Sequence, residues 1–186
     1  MIWNEHYEIE DGAHAFLSPS NYHWTRYDDE KLKTVYRSIE AKKEGVEEHL
    51  YAALSIKKKR KLARIKQTLN MYVNDCIAYN MRPEQKLKFS ENAHGTADAI
   101  SFVDGILRIF DLKTGQTKVS FQQLNVYAAY FCLEYGINPE DITIIERIYQ
   151  KREILEYFPT AEEIRKIMDR TCSADQIIES IKLEYV

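Results

Sequence analysis

Two aspartates and one lysine near the middle of the chain have the residue types and the spacing that metal-assisted hydrolysis requires. Asp98 ends the segment His94-Gly95-Thr96-Ala97-Asp98, and one residue separates Asp111 from Lys113. Asp111 and Lys113 lie two apart on a predicted strand, so their side chains leave the same face. Carboxylate oxygens are hard ligands that suit Mg²⁺ or Mn²⁺, and a lysine beside them supplies a compact positive charge. The spacing therefore predicts a divalent-cation site with a catalytic lysine.

A predicted β-hairpin would bring the two aspartates to one end of a small sheet. Ala99 to Val103 loosely alternates polar and apolar residues, Asp104-Gly105 is a two-residue hairpin signal, and Ile106 to Lys113 is typical of a second strand. Asp98 and Asp111 would then lie on neighbouring strands. The chemistry that suits this trio is attack of water on a phosphodiester, with a cation offsetting the negative charge of the phosphate.

Three motifs in this part of the chain belong together. They are Gly95-Thr96-Ala97-Asp98, Asp111-Leu112-Lys113-Thr114-Gly115 and Gln123-Leu124-Asn125-Val126-Tyr127-Ala128. Together they resemble the PD-(D/E)XK nucleases, and the third is similar to the Gln-x-x-x-Tyr motif of the RecB-like branch. The resemblance covers residues 84 to 136 and is thinner upstream.

This resemblance implies a metal-dependent deoxyribonuclease with Mg²⁺ or Mn²⁺ as its cofactor and DNA as its substrate. The residues it assigns are Asp98, Asp111 and the Leu112 carbonyl as metal ligands, Lys113 as the catalytic cation, and Gln123 and Tyr127 as assisting residues. Because the branch includes recombination enzymes and many phage proteins, it favours DNA end processing, recombination or phage DNA metabolism. It also favours exonuclease over endonuclease activity, and a homo-oligomer or a recombination protein as a partner.

One histidine on a predicted helix is a candidate for a further metal ligand. The helical pattern runs from Leu32 to Ile56. The residues expected on its inward face are Val46, His49, Leu50 and Ala53. A lone histidine on such a face is usually a core residue, but Gly45-Val46-Glu47-Glu48-His49 resembles a metal-binding pattern of RecB-like nucleases. The resemblance therefore implies a ligand role for His49, while a core role stays the alternative.

The elements around the site are predicted from periodicity, caps and turns. They are a helix beginning at Pro19, a second long helix over residues 57–80, a strand Glu84–Phe89, a helix from Val119 or Ser120 to Tyr135, strands Ile142–Tyr149 and Glu153–Phe158, a helix capped by Thr160 with Glu163, and a last helix Ala174–Leu183. On the first strand, Glu84-Gln85 resembles an acidic position of the family, although a structural role is favoured. The order predicts an α/β fold with one domain over residues 1–186. By resemblance it is a three-layer α/β sandwich with a central mixed β-sheet, a restriction-endonuclease-like α-β-β-β-α-β core, and N- and C-terminal helices.

A cationic run gives the chain a local candidate for nucleic-acid binding. The net charge is −3. Even so, one stretch of five consecutive cations, with Arg64 and Lys66 shortly after it, contains no acidic residue. The stretch consists of Lys57, Lys58, Lys59, Arg60 and Lys61. We expect DNA to contact this run, because phosphate binding needs local positive charge even when the whole protein is acidic. A solvated helix face or turn is the alternative.

Composition bounds the class of protein and its environment. With 186 residues, of which 45 % are hydrophobic and 30 % charged, the chain can bury a core. No apolar run approaches the roughly 20 residues of a membrane span, and no basic-then-apolar signal peptide opens the chain. We therefore expect an intracellular, cytoplasmic protein of a bacterium or a phage-infected host, without a membrane partner. Cys76, Cys132 and Cys172 form no Cys-x-x-Cys pair, which predicts reduced, mostly buried thiols and no iron–sulfur cluster.

Two functions from other classes remain as alternatives. A catalytically silent nuclease fold could bind DNA or a protein partner, but the intact set of Asp98, Asp111 and Lys113 argues against it. A small-molecule metallohydrolase is disfavoured by the cationic run and by the helix that carries Gln123 and Tyr127.

Overall fold

The computed structural model describes residues 15–115 and 118–184, which contain four α-helices and five β-strands. The chain divides into two units, residues 1–44 and residues 45–186. The first unit contains a 3₁₀ helix (Pro19–Arg26) and the start of helix α1 (Asp29–Lys57). Pro19 lies in the first turn of the 3₁₀ helix, where its fixed φ angle fits and its missing N–H is not needed. The predicted starting residue is thus correct, although the helix is of the 3₁₀ type.

The second unit contains the rest of α1 and a mixed sheet with further helices. In chain order its elements are α2 (Thr68–Ala78), β1 (Arg82–Lys88), β2 (His94–Val103), β3 (Ile106–Leu112), α3 (Gln122–Tyr135), a 3₁₀ helix (Pro139–Asp141), β4 (Thr143–Gln150), β5 (Glu153–Tyr157) and α4 (Ala161–Glu184). The sheet order is β1-β2-β3-β4-β5, and β3 runs parallel to β4 while the other neighbours are antiparallel. The predicted α/β class with a central mixed sheet is confirmed.

The turn between β2 and β3 fixes the register of the central hairpin. Asp104 has a φ of 51° and Gly105 a φ of 72°. Positive φ angles at both positions are those of the type I′ turn, which Asp-Gly favours and which matches the twist of paired strands. Val103 therefore pairs with Ile106, as the sequence predicted.

Apolar side chains pack against both faces of the sheet. On one face, strand residues such as Leu107 and Ile109 pack with Leu124 and Ala128 of α3 and with Ile164 of α4. The other core contains Ala52, Ile56, Tyr72, Val73, Cys76, Ala99, Phe110, Leu112 and Tyr149, from α1, α2 and the central strands. Alternating strand residues thus face opposite helical layers, as expected for a sheet covered on both sides.

The inward face predicted for α1 is wrong for its large apolar residues. Val46 is 69 % exposed and Leu50 is 61 % exposed, whereas Ala52 and Ile56 are buried. His49 does lie on the half-buried side. Small side chains form much of the buried stripe because they let the helix backbone approach its neighbours, so apolar periodicity alone misplaced the stripe.

The second long helix predicted over residues 57–80 is also wrong at its start. A loop follows α1, and α2 begins only at Thr68. Asn74 stabilises the loop, since its amide accepts from the Leu62 N–H at 2.9 Å and donates to the Leu62 carbonyl at 3.1 Å. Repulsion between neighbouring cations disfavours a helix here, and the asparagine supplies hydrogen bonds that a helix would otherwise make.

The C-terminal helices predicted separately form one helix. Thr160 and Glu163 make the predicted capping box, in which the Thr160 N–H donates to Glu163 and the Glu163 N–H donates to Thr160 Oγ1. From there α4 continues to Glu184 without interruption, because the segment contains neither proline nor glycine to end it. Helix α3 begins at Gln122, slightly later than predicted. Its last residue is Tyr135, and Gly136 caps it in the left-handed conformation.

Two expectations from composition can be compared with the described residues. None of the helices there is long and apolar enough to cross a bilayer. Cys76 and Cys132 are buried free thiols, and Cys172 is partly buried. The expectation of mostly buried thiols is therefore confirmed.

Candidate metal centre

The site lies where β2 and β3 cease to pair with each other. Their backbone register ends with Ala99 opposite Phe110. Beyond this pair, the N–H of Leu112 donates to Oδ2 of Asp98 at 3.0 Å, while β3 continues to pair with β4 as far as Tyr149. A carboxylate thus replaces a backbone acceptor, and this replacement fixes Asp98 beside the end of β3.

Asp111 is a buried carboxylate with one satisfied oxygen. Asp111 is 4 % exposed, and its Oδ1 accepts a hydrogen bond from Nζ of Lys113 at 3.1 Å. Its Oδ2 is buried and has no hydrogen-bond partner among the described residues. Burial, and then the nearby carboxylate of Asp98, raise the pKa of Asp111 above its ordinary value. A buried, unpartnered carboxylate oxygen is unfavourable by itself, so this atom is suited to receive a cation.

Lys113 connects the strand to helix α3. Besides its ion pair with Asp111, its Nζ donates to Oε1 of Gln123 at 3.1 Å. The lysine side chain is 34 % exposed, so it is accessible from solvent while both partners hold it. The structure thus brings Asp111, Lys113 and Gln123 together. Gln123 contacts the lysine rather than the carboxylates.

His49 extends the site from α1. Its Nδ1 lies 3.3 Å from Oδ2 of Asp98, and the side chain is half-buried. The hydrogen bond to Asp98 is the largest of the effects that raise the pKa of His49 above 6.5, and burial opposes it. The histidine is therefore in contact with a predicted ligand and does not lie among apolar side chains alone.

Glu84, for which a structural role was favoured from the sequence, lies at the site. Strand β1 begins two residues earlier than predicted, and Glu84 falls opposite Asp98, between the pairs Pro83–Ala99 and Gln85–Ala97. One ligand atom each of His49, Glu84 and Asp98 lies within 4.8 Å of the others. Burial, followed by the carboxylate of Asp98, raises the pKa of Glu84. The signal was an acid on the first strand, but only the pairing of β1 with β2 places it in the cluster.

The backbone of Glu84 is itself unusual. Its φ of 51° lies in the left-handed region, which a non-glycine residue adopts at an energetic cost. Pro83 precedes it, and the proline is tolerated because β1 is an edge strand. The local distortion accompanies the placement of the Glu84 carboxylate beside Asp98.

Gly45 sets how closely α1 approaches the chain that leaves β3. A Cβ atom on Gly45 would lie 2.8 Å from Oγ1 of Thr114, which is shorter than a normal contact. Gly45 is one helical turn before His49. The glycine therefore allows the approach that places His49 next to the motif of Asp111 and Lys113.

Tyr127 and Leu112 support the site through structural contacts. The hydroxyl of Tyr127 donates to the Thr96 carbonyl at 2.6 Å, and a Cβ on Gly95 would lie 3.0 Å from the tyrosine ring. Leu112 buries its side chain in the core and uses its N–H to hold Asp98. The assisting role predicted for Tyr127 and the carbonyl ligand predicted at Leu112 stay predictions.

The cationic run begins at the last residue of α1 and contributes no residue to the group of His49, Glu84 and Asp98. Its residues Lys57, Lys58, Lys59, Arg60 and Lys61 are all exposed and span the end of α1 and the loop after it. The solvated-turn alternative describes its conformation, and its contact with DNA stays a prediction.

The charges of the cluster favour a divalent cation. Glu84 and Asp98 of this group carry two negative charges when ionised; Asp111, which lies outside the group but whose pKa Asp98 raises, adds a third, and Lys113 offsets one of the three. An excess of two negative charges remains when His49 is neutral. Carboxylate oxygens with one imidazole nitrogen form a donor set that suits Mn²⁺ or Mg²⁺.

Comparison with known proteins identifies the family of the chain without assigning a function. No curated protein and no solved structure matches the chain. A family model described as "Protein of unknown function (DUF2800)" matches residues 23–152, which include every residue of the candidate metal centre. The chain therefore belongs to the DUF2800 family.

Proposed function

We propose that this protein is a divalent-metal-dependent deoxyribonuclease that hydrolyses phosphodiester bonds. The observation that carries the proposal is the unpartnered, buried Oδ2 of Asp111 beside the Lys113 ion pair and Asp98. A buried carboxylate oxygen that lacks a protein donor, with a lysine fixed next to it, is the arrangement that metal-assisted phosphate hydrolysis uses.

The residues fit Mg²⁺ or Mn²⁺ as the cofactor. Asp98, Asp111 and His49 would hold the ion, with Glu84 as an additional acid that the sequence analysis did not include. The Leu112 carbonyl is a further candidate ligand by resemblance. When bound, such an ion supplies charge neutralisation and polarisation of the phosphate.

Lys113 is suited to stabilise the charge that develops on the phosphate oxygens. Its ammonium group has three donors, and Asp111 and Gln123 accept from it. A remaining donor can therefore reach a phosphate oxygen while the other two fix the position of the nitrogen. Preorganisation of this kind lowers the barrier because no donor needs to be reoriented during the reaction.

The arrangement of elements supports the same proposal. The order α2-β1-β2-β3-α3-β4 follows the α-β-β-β-α-β core of the PD-(D/E)XK nucleases, with helices against both faces of the sheet. By the resemblance to the RecB-like branch, the substrate would be DNA in end processing, recombination or phage DNA metabolism, with exonuclease action favoured.

The test is incubation of the protein with linear, circular and single-stranded DNA in Mg²⁺, Mn²⁺ or EDTA. We expect cleavage that requires the metal, and faster cleavage of linear than of circular DNA if the activity is exonucleolytic. Asp98→Asn should lower the rate by at least about 100-fold, since it weakens charge stabilisation at the reacting centre. Asp104→Asn is the matched control, because it removes the same charge from the exposed hairpin turn.

Cleavage that persists in EDTA, or that survives Asp98→Asn, would contradict the proposal. DNA binding without cleavage in either metal would instead favour the catalytically silent nuclease fold.

A further inference from the structure

A groove beside Lys113 carries cationic residues that the sequence analysis did not connect with the site. It has a volume of about 420 Å³. Among the residues that line it are Thr68, Lys113, Thr114, Gly115, Lys151 and Arg152. They come from the start of α2, the exit of β3 and the turn between β4 and β5. The proposed catalytic lysine is thus one of the residues that line the groove, together with these three segments.

The turn between β4 and β5 has a conformation that its residues do not favour. Lys151 has a φ of 52° and Arg152 a φ of 62°. Such a pair of angles is typical of the type I′ turn, which prefers Asn-Gly and penalises side chains with a Cβ. A sequence chosen for the turn alone would not place two cations there. Their presence is explained if the charges have a use at this position.

Hydrogen bonds hold this turn and the exit of β3 in place. The N–H of Arg152 donates to Oγ1 of Thr68 at 2.8 Å, which connects the turn to the first residue of α2. Gln150, which is buried, donates from Nε2 to the carbonyl of Gly115 at 2.7 Å. The backbone N–H of Lys113 donates to the carbonyl of Tyr149 at 2.9 Å. The exit of β3 and the cationic turn are therefore fixed to the same strand, β4.

The charge of the groove suits a polyanion. Lys113, Lys151 and Arg152 carry three positive charges, and Glu48 is an acid in the lining. Lys113 is paired with Asp111, and the turn contributes the other two cations of the lining. The start of α2 adds a weaker positive potential from its first amides.

We propose that this groove binds the phosphodiester backbone of the DNA strand that enters the metal centre, with Lys151 and Arg152 contacting phosphates. This inference rests on the proposed nuclease function, because it takes Lys113, which lines the groove, as the residue beside the reaction. It places the main phosphate contacts on the turn between β4 and β5 rather than on Lys57 to Lys61.

The test replaces the turn by one that is better suited to its backbone. The double variant Lys151→Asn with Arg152→Gly removes both charges and introduces the Asn-Gly pair that type I′ turns favour. Its thermal stability should equal or exceed that of the wild type. Binding of fluorescein-labelled single-stranded and duplex oligonucleotides is measured by anisotropy in Ca²⁺ over a series of salt concentrations. The matched control is Arg165→Gln with Lys166→Gln, an exposed pair of cations on α4.

We expect the turn variant to bind single-stranded DNA at least about tenfold more weakly, with a salt slope smaller by about 1.4 for two lost phosphate contacts. The α4 variant should bind like the wild type. Unchanged affinity and slope in the stably folded turn variant would overturn the inference, and so would a wild-type protein that binds neither oligonucleotide. Failure of the proposed function is distinguishable, since it appears as absence of metal-dependent cleavage by a wild type that still binds DNA.

Discussion

Asp111 and Glu146 are both buried carboxyl groups on neighbouring strands, but their surroundings differ in kind. Asp111 is 4 % exposed and has the ammonium of Lys113 at 3.1 Å. Glu146 is fully buried, and in the orientation that satisfies both groups the amide nitrogen of Asn125 lies 2.9 Å from each carboxyl oxygen. One carboxyl therefore has a cation beside it, and the other has a neutral amide.

The difference determines how each group responds to burial. Burial, and then the charge of Glu163, raise the pKa of Glu146 to about 8, so it is mostly protonated at neutral pH. The pKa of Asp111 is raised by burial and by the charge of Asp98, whereas Lys113 and His49 lower it. A buried acid without a cation takes up a proton, whereas one beside a lysine can stay ionised and bind a metal. Burial alone therefore does not identify a functional carboxylate, since the neighbouring group decides whether the carboxyl is charged.

The largest expected difference between the two groups is in catalysis. Asp111→Asn should lower metal-dependent cleavage by at least about 100-fold, because the charge of the proposed metal ligand is lost. Glu146→Gln should leave the rate within about twofold, since the variant retains the neutral form that predominates at pH 7. Initial rates in Mn²⁺ on linear DNA measure both effects. Equal losses in the two variants would remove the functional distinction between these carboxyls.

The second difference is expected in the pH dependence of stability. Between the ordinary pKa of 4.5 and the raised value of about 8, folded Glu146 binds more protons than the unfolded chain does. The free energy of unfolding should therefore fall as the pH rises through this window. Glu146→Gln lacks this dependence, so it should be more stable than the wild type by a few kcal/mol above about pH 8 and similar to it below about pH 4.5.

Urea denaturation of both proteins at about pH 5 and about pH 9 measures this effect. Asn125→Ala is an informative companion, because it removes the amide that contacts the carboxyl and should destabilise the fold at both pH values. A constant difference between wild type and Glu146→Gln would contradict a raised pKa at Glu146.

The smallest expected effect concerns His49 and the metal. A metal ligand must be neutral, and the hydrogen bond to Asp98 raises the pKa of His49 above 6.5. Mn²⁺ affinity should therefore fall as the pH drops through this raised range, by up to about tenfold per pH unit below it. His49→Gln should bind Mn²⁺ more weakly and with a flatter pH dependence.

Calorimetric titration of folded wild type and His49→Gln between about pH 6 and pH 8.5 decides between the two roles of this residue. If His49 only orients Asp98, the variant loses affinity but keeps the same pH dependence. Equal affinities at every pH would exclude His49 from the site.

Much of the central site could be predicted because its determinants are local. The Asp104-Gly105 turn and the strands on either side of it bring Asp98 and Asp111 to adjacent strands, and this requires only turn chemistry and a two-residue period. The spacing of Asp111 and Lys113 likewise fixes a common face before any long-range packing is considered.

Other features depended on contacts between distant segments. Glu84 joins the cluster because β1 pairs with β2 in a register that sets it opposite Asp98. On α1, Gly45 and not the exposed Val46 lies close to Thr114, where an added Cβ would come within 2.8 Å of Oγ1 and force a shift. No local pattern distinguishes these outcomes from their alternatives.

Periodicity and turn residues are enough to predict the central hairpin, the α/β class and the grouping of two aspartates with a lysine. His49 was expected at the site only by resemblance, and its contact with Asp98 depends on helix packing. The approach of Glu84 to Asp98, and of Lys151 and Arg152 to the groove beside Lys113, depends on the folded chain, because strand register and helix packing are set by the whole core. Side chains far apart in the chain therefore meet only once that core is formed.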